Sequence, residues 1–254
     1  MEYINLLKKL LASVGIGKAT VDTLLLTDEL IAGQTFDIEV IIKGGDVSQH
    51  LNGIELAIMA QAKAESEVGD EEVTYNKNVV LQHWLQELNV EVQPQETITR
   101  HFSLDLHSEV PASSFHGQQI AKVWLQTGLD IKNGIDGSDN DPLTIHPSPT
   151  QLAVLEVIEQ SGYSLFKIDL EVGGVRGENF SSHLPCYQEY EFKQQSRSLF
   201  GAKEIEVTFV DNGHETGVLI EIDRLFLGDG YRSISIPNHC SSIEQVRPYI
   251  EKIL

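Results

Sequence analysis

The chain has 254 residues, 41% hydrophobic and 22% charged, enough for one large domain or two of ordinary size and incompatible with bulk disorder. A formal net charge of −20, from 18 Lys plus Arg against 38 Asp plus Glu, excludes the basic footprint of a nucleic-acid binder. Cys186 and Cys240 have no CxxC spacing and are too few for a disulfide framework, so reduced, unpaired thiols are expected.

The opening MEYINLLKKLLASVGIG has helical spacing. At about 100° per residue, Ile4, Leu7, Leu11 and Val14 share a face flanked by Tyr3, Leu6 and Leu10, while Glu2, Asn5, Lys8 and Lys9 take the other side. Gly15 and Gly17 stop the pattern, defining an amphipathic helix over residues 1–18. Tyr3, Ile4, Leu7 and Leu11 are its candidate docking face, toward its own domain, a second subunit or a membrane surface. Lys8 and Lys9 interrupt the apolar stretch, so the layout of a secretory signal is missing, and no run of about 18 uncharged apolar residues occurs. A cytoplasmic protein is expected.

From about residue 19 the period changes from 3.6 to 2. In TFDIEVIIKG, Phe36, Ile38, Val40 and Ile42 form the apolar set, and in NGIELAIMAQA the set is Ile54, Leu56, Ile58 and Ala60. GGDVSQHLN between them is turn chemistry, and AESEVGDEEV reads as a solvated hairpin tip. VVLQHWLQELNVEV, ETITRHFSLDL and QQIAKVWLQTG continue as strands. Strands divided by turns, with no helical crossover, imply an antiparallel β-sandwich.

Residues 131–141 are crowded with Asp, Asn and Gly and read as an acidic hinge after a sandwich at 19–130. Val123, Leu125 and Leu129 would finish the first lobe, and Leu143 and Ile145 would open the second. SPTQLAVLEVIEQSGY then has helical spacing, with Pro149 in the first turn, Leu152, Leu155, Val157 and Ile158 on one side and Gly162 as the stop. LFKIDLEV is expected to bury Phe166, Ile168, Leu170 and Val172, and CYQEYEF sets Tyr190 with Phe192 and Glu189 with Glu191 on opposite faces. EIEVTFV and TGVLIEID flank DNGHE, whose Asn212-Gly213 pair is a hairpin signal. A second sandwich at 142–236 and a helical tail at 237–254, bent or limited by Pro248, complete the reading.

No pattern of reactive residues emerges. An EF-hand loop started at Asp136 has Asp141 sixth and Pro147 twelfth, and one started at Asp130 has Lys132 third, so both frames fail. A looser calcium site from Asp136, Asp139 and Asp141 is the weaker alternative to a solvated hinge. The 9 histidines include no His-Glu-x-x-His and no clustered Cys/His spacing. There is no Gly-x-Ser-x-Gly elbow, and KGGDV and VGGVRGEN lack the order of a phosphate loop. Glu189 and Glu191 share a strand face, a pairing that serves acid–base chemistry in some proteins and a solvated sheet face in most. No catalytic residue, metal or cofactor is expected, and a metal-dependent enzyme is the least favoured reading.

LLKKLLASVGIGKATVDT, VWLQTGLDIKNGIDGSDND and YQEYEF together resemble the bacterial sporulation-control protein family, whose fold is similar to arrestin. The likeness spans nearly the whole chain. It implies a mainly β protein of two arrestin-like antiparallel β-sandwich domains, with short helices at the N-terminus, after the hinge and at the C-terminus. It further implies a non-enzymatic regulatory or scaffolding role with protein partners. In arrestin-like proteins buried charges between the lobes set their orientation, and Asp22, Asp130, Lys132 and Arg224 are the candidates here, chosen for their places at strand ends and hinge. A peripheral membrane role through the first helix is the alternative, and a homodimer through a terminus or sheet edge is also expected.

Overall fold

The computed structural model describes residues 17–68, 71–131, 138–194, 204–223 and 230–254. The predicted amphipathic helix, with Tyr3, Ile4, Leu7 and Leu11, falls outside the described residues, as do Lys132 and Arg224.

Period-2 alternation becomes strands throughout the first lobe. β1 (Thr20–Leu25), β3 (Thr35–Lys43) and β6 (Thr97–Asp105) form one antiparallel sheet in the order β1-β3-β6. β4 (Gln49–Val68) and β5 (Glu71–Val92) make a long hairpin, extended by β9 (Val123–Ile131) and β10 (Ser138–Pro142) into a second sheet. The inner faces meet in one core in which Phe36, Ile38, Val40 and Ile42 of β3 and Ile54, Leu56 and Ile58 of β4 are at most 1% exposed. Trp84 of β5 packs edge-on to Phe36 at 6.4 Å between ring centroids. β1 closes onto β10 through Thr23, whose N–H donates to Asp139 Oδ2 (2.9 Å) and whose hydroxyl lies 2.8 Å from that of Thr127.

The expected hinge is therefore shorter than its composition suggests. Ser138–Pro142 pairs back on β9, with Asp141 opposite Leu125, so the end of the acidic break is a strand of the first lobe. Leu143 and Ile145 are buried in the first core rather than opening the second lobe, and β11 (Ile145–His146) pairs in parallel with β2 (Leu30–Ile31). The chain leaves the first lobe at α1 (Pro149–Gln160), where Ser148 and Gln151 form a reciprocal capping box, Pro149 sits in the first turn and Gly162 follows the end at φ +92°.

In the second lobe β12 (Tyr163–Val172), β13 (Cys186–Gln194), β14 (Glu204–Asp211), β15 (Glu215–Asp223) and β16 (Gly230–Pro237) form an antiparallel sheet in chain order. One face carries Tyr190, Phe192, Ile205, Val207, Val218 and Ile220, all at most 1% exposed. They share a core with Val154, Leu155, Val157 and Ile158 of α1 and Val246 and Ile250 of α2 (Ile243–Ile250). Helices thus supply the layer over that face. Two expectations fail for local reasons: Leu152 is 41% exposed because the buried stripe runs through Thr150, Ala153, Val154, Val157 and Ile158, and Phe166 is 42% exposed because a bulge interrupts the register between Leu165 and Lys167.

The lobes are joined by more than a linker. β12 pairs in parallel with β4 at Glu171 and Lys63, merging both lobes into one nine-stranded sheet. Leu170, Leu184 and Cys186 of the second lobe are buried in the first core. Cys186 and Cys240 are free, buried and in different cores.

Candidate functional site

Among the described residues the face of the second sheet opposite the helices is covered only in part, by the segment between β12 and β13, and its side chains follow from register. Lys167 lies opposite Glu191, Glu191 opposite Glu206, Glu206 opposite Glu221, and Glu221 opposite Tyr231, a row that crosses the sheet from β12 to β16. The adjoining row sets Asp169 opposite Glu189 and Glu189 opposite Thr208. Like charges directly opposite one another destabilise a strand pair, by a few tenths of a kcal/mol to about 1 kcal/mol. A sheet stabilised only for its own sake would interleave lysine here.

The segment between β12 and β13 walls one end of this face. The Phe180 ring lies over Gly217 and Gly177, where an added Cβ would stand 2.5 and 2.4 Å from ring carbons, so both positions require glycine for close approach. Val175 N–H donates to Ser182 Oγ (2.9 Å) and Glu178 N–H to Ser233 Oγ (2.8 Å), tying the segment down. The result is an open groove of about 360 Å³ whose floor is Glu189, Glu206, Thr208, Leu219 and Glu221 and whose sides are Arg176, Tyr187 and Tyr231. Tyr231 is 65% exposed.

Partial burial and mutual repulsion raise the proton affinity of the floor. Burial first, then Glu206, Glu171, Glu191 and Glu221, push Glu189 up to about 7. Burial with Glu221 and Glu191 raises Glu206, and burial also raises Glu171, against the pull of Lys63. Burial and the neighbouring Glu189 hold the Tyr187 phenol neutral. At the edge nearest the first lobe the sign reverses. Burial alone would raise Asp169, but hydrogen bonds from Lys167 and Lys63 overcome it and hold the carboxyl below its ordinary range. Lys167 reaches both Asp169 (2.6 Å) and Glu191 (2.5 Å), which hold it protonated.

The residues that join the lobes differ from those expected. Asp22 is exposed on β1, and Asp130 accepts from Asn52 Nδ2 (3.0 Å) within the first lobe, so among the described residues neither of these two contacts the second lobe. Lys63 of β4 bonds Asp169 of β12 at 2.5 Å. Buried Gln188 accepts from Ala112 N–H (3.1 Å) and donates to Ala112 C=O (2.9 Å), so one side chain pairs both polar groups of a first-lobe residue. Glu109, its side chain 5% exposed, accepts from the N–H groups of His183 (2.7 Å) and Leu184 (3.3 Å). Lys63 went unnoticed because β4 continues to Val68, past the alternating stretch that marks it in the sequence.

Asp22 does join a smaller cluster. Burial, then Asp139 and Asp22, push Asp141 up to about 6 at the β1–β10 seam. Asp136 of the weaker calcium alternative is outside the described residues, and no group of three or more His, Cys, Asp or Glu side chains among those described is arranged to hold a metal ion. No described helix is long and apolar enough to cross a membrane.

Comparison with known proteins agrees with this architecture. Residues 7–226 match the family described as SpoOM protein. The sporulation-control protein spo0M of Bacillus subtilis (strain 168) is 31% identical over 226 residues, covering 87% of this chain and 81% of that protein. The crystal structure of Spo0M, sporulation control protein, from Bacillus subtilis superposes with a TM-score of 0.76 at 25% identity, over 93% of this chain and 98% of that one.

Proposed function

Because the chain belongs to the SpoOM protein family, mainly β, arrestin-like and regulatory, we propose that it regulates without catalysis, by docking a cationic protein segment on the carboxylate groove of its second lobe. The observation that carries this reading is the row Glu191, Glu206 and Glu221, in register across neighbouring strands, with Lys167 paired to Glu191 at one end and Arg176 at the side of the groove. Such a row costs stability in the free protein. A lysine or arginine from a partner offsets that cost, and the stems and planes of those side chains suit the walls formed by Tyr187 and Tyr231. Electrostatic complementarity of this kind sets on-rate and partner choice. Tyr187, hydrogen-bonded to Glu189 within the groove, is held neutral by burial and the neighbouring carboxylates, which suits a wall residue better than a nucleophile.

The test is partner capture from the native cytoplasm with a photo-crosslinker in place of Tyr231, comparing the intact protein with the triple variant Glu189→Gln, Glu206→Gln and Glu221→Gln. Crosslinks to a basic segment of a defined protein, lost in the triple variant and kept in the first-lobe control Glu87→Gln, are expected. Partners held equally by the triple variant would sink the groove reading. Capture that instead disappears on deleting residues 1–15 would move the docking surface to the amphipathic segment.

A further inference from the structure

We propose that the tip of the β4–β5 hairpin is a self-association edge: two copies of this chain pair antiparallel through residues 71–77 of β5, with Thr74 of one opposite Thr74 of the other. This edge belongs to the first lobe and is independent of the carboxylate groove.

The strand β5 lies at an edge. It pairs only with β4, and among the described residues no backbone group of residues 73–78 bonds to anything but β4. Its inner face runs from Leu81 and Val79, each 7% exposed, through Lys77 and Tyr75 to Val73. Burial stops at β4, however. Ala62 and Ala64 are 1% and 7% exposed, while Lys77 and Tyr75 opposite them are exposed, Tyr75 at 47% and Val73 beyond it at 41%. All of residues 73–78, on both faces, are exposed. The sheet thus runs one strand past its own core and leaves an unpaired backbone edge beside two apolar side chains. Devices that commonly blunt such an edge are sparse here: residues 71–78 hold no proline, and the bulge of β5 lies farther along, opposite Ile58 and Met59.

What fits this edge is its own sequence. Folded back on itself about Thr74, EEVTYNK sets Val73 opposite the second copy's Tyr75 and Tyr75 opposite its Val73. This aromatic–β-branched pairing is repeated across a two-fold axis, so four side chains gather on one face as an apolar cluster. Thr74 meets Thr74 on the other face. Glu71 falls opposite Lys77 at both ends, so the one cation of the stretch, which would guard the edge against other strands, meets an unlike charge. Centring one residue away, on Tyr75, sets Val73 opposite Lys77 and removes both charge pairs. Seven paired residues fall short of the about 1,200 Å² of a stable interface, so the dimer forms with concentration and is not permanent. The charge of −20 on each copy opposes association, and salt at about 0.15 M, where the Debye length is about 8 Å, screens it.

The test is sedimentation equilibrium of the full chain at that salt, from about 5 µM to about 500 µM. The wild type should pass from monomer to dimer. Lys77→Glu should weaken association by about tenfold, and Glu71→Lys added to Lys77→Glu should restore it. Register is read separately by mild oxidation: Thr74→Cys should cross-link two copies, whereas Asn78→Cys, on the same strand face, should not. Both positions are exposed, and the native Cys186 and Cys240 are buried, so neither variant disturbs the core and the background is low. A wild type that stays monomeric at every concentration overturns the proposal, whatever other strand the edge accepts. A dimer indifferent to Lys77→Glu, or cross-linked through Asn78→Cys in place of Thr74→Cys, overturns this edge as its seat.

Discussion

The two lobes use the same strand alternation differently. In the first, the sheets β1-β3-β6 and β5-β4-β9-β10 bury their apolar faces against each other. Carboxylates on the outer faces of β3 and β6 meet polar partners across the strands, as where Thr35 donates to Asp105 Oδ1 (2.6 Å) and His101 lies 3.3 Å from Glu39. In the second, helices cover one face of the sheet and the opposite face concentrates glutamates in register. Apolar alternation fixes which face is buried, yet leaves the organisation of the other face open. The first lobe holds its outer face as solvated surface; the second gathers carboxylates in register on its own.

The sharpest way to break this comparison is to cut both faces of one strand. Phe192, fully buried on the helical face of β13, contacts the core shared with α1 and α2. Phe192→Ala should cost about 3–5 kcal/mol and lower Tm by on the order of 10 °C. Glu191→Ala, next to it on the groove face, should change Tm little, since it removes a repulsive neighbour of Glu206 together with a partner of Lys167. Thermal denaturation of the two variants checks the contrast. Equal losses would mean that the acidic face contributes to folding as the covered one does.

A smaller effect probes the joint between the regions. Gln188→Leu keeps the volume but strands Ala112 N–H, Ala112 C=O and the Tyr190 hydroxyl, which donates to Gln188 Oε1 at 3.0 Å. At about 1–3 kcal/mol for each buried group left unpaired, and with partial rescue by water, a loss of about 2–4 kcal/mol is expected. Amide hydrogen exchange should accelerate over residues 108–113, beside the lost contact, before it does in β3. Uniform acceleration would show that the lobes open as one unit.

Much of this was legible from residues. The apolar sets of β3 and β4, the helix opening at Pro149 and the hairpin at Asn212-Gly213 followed from period, the first-turn proline and turn preference. The groove was not. A two-residue Asn-Gly turn would set Asp211 opposite His214, whereas the structure pairs Asp211 with Thr216, and that register brings Glu206 opposite Glu221. The pairing of Glu191 with Glu206 depends further on a strand order that no local signal encodes. The inter-lobe pair Lys63–Asp169 was missed for a related reason. Charge at a strand end is a local property, whereas Lys63 meets Asp169 only because β4 runs on beside β12. Phe166 shows the limit of alternation itself, since one bulge turned the expected face outward.

The smallest prediction bears most directly on what the open face is for. Glu206 stands between Glu191 and Glu221, and its proton affinity is raised by burial and by both neighbours. Glu206→Gln removes the central charge while keeping the shape, and should stabilise the protein by a few tenths of a kcal/mol to about 1 kcal/mol at pH 8. The sign against pH follows from Glu189, raised from 4.5 to about 7 in the folded chain. Its favourable contribution is complete below about 4.5 and is lost as pH rises through about 7, so between those limits it makes stability decline with pH. Removing Glu206 lowers the affinity of Glu189 for its proton and should flatten that decline, as equilibrium denaturation at pH 5, 6.5 and 8 would reveal. The same variant should bind a cationic peptide less tightly, because the charge that destabilises the free sheet is the charge the ligand meets. A variant both more stable and equally tight in binding would separate the repulsion from the site, leaving the second lobe with a solvated outer face like the first.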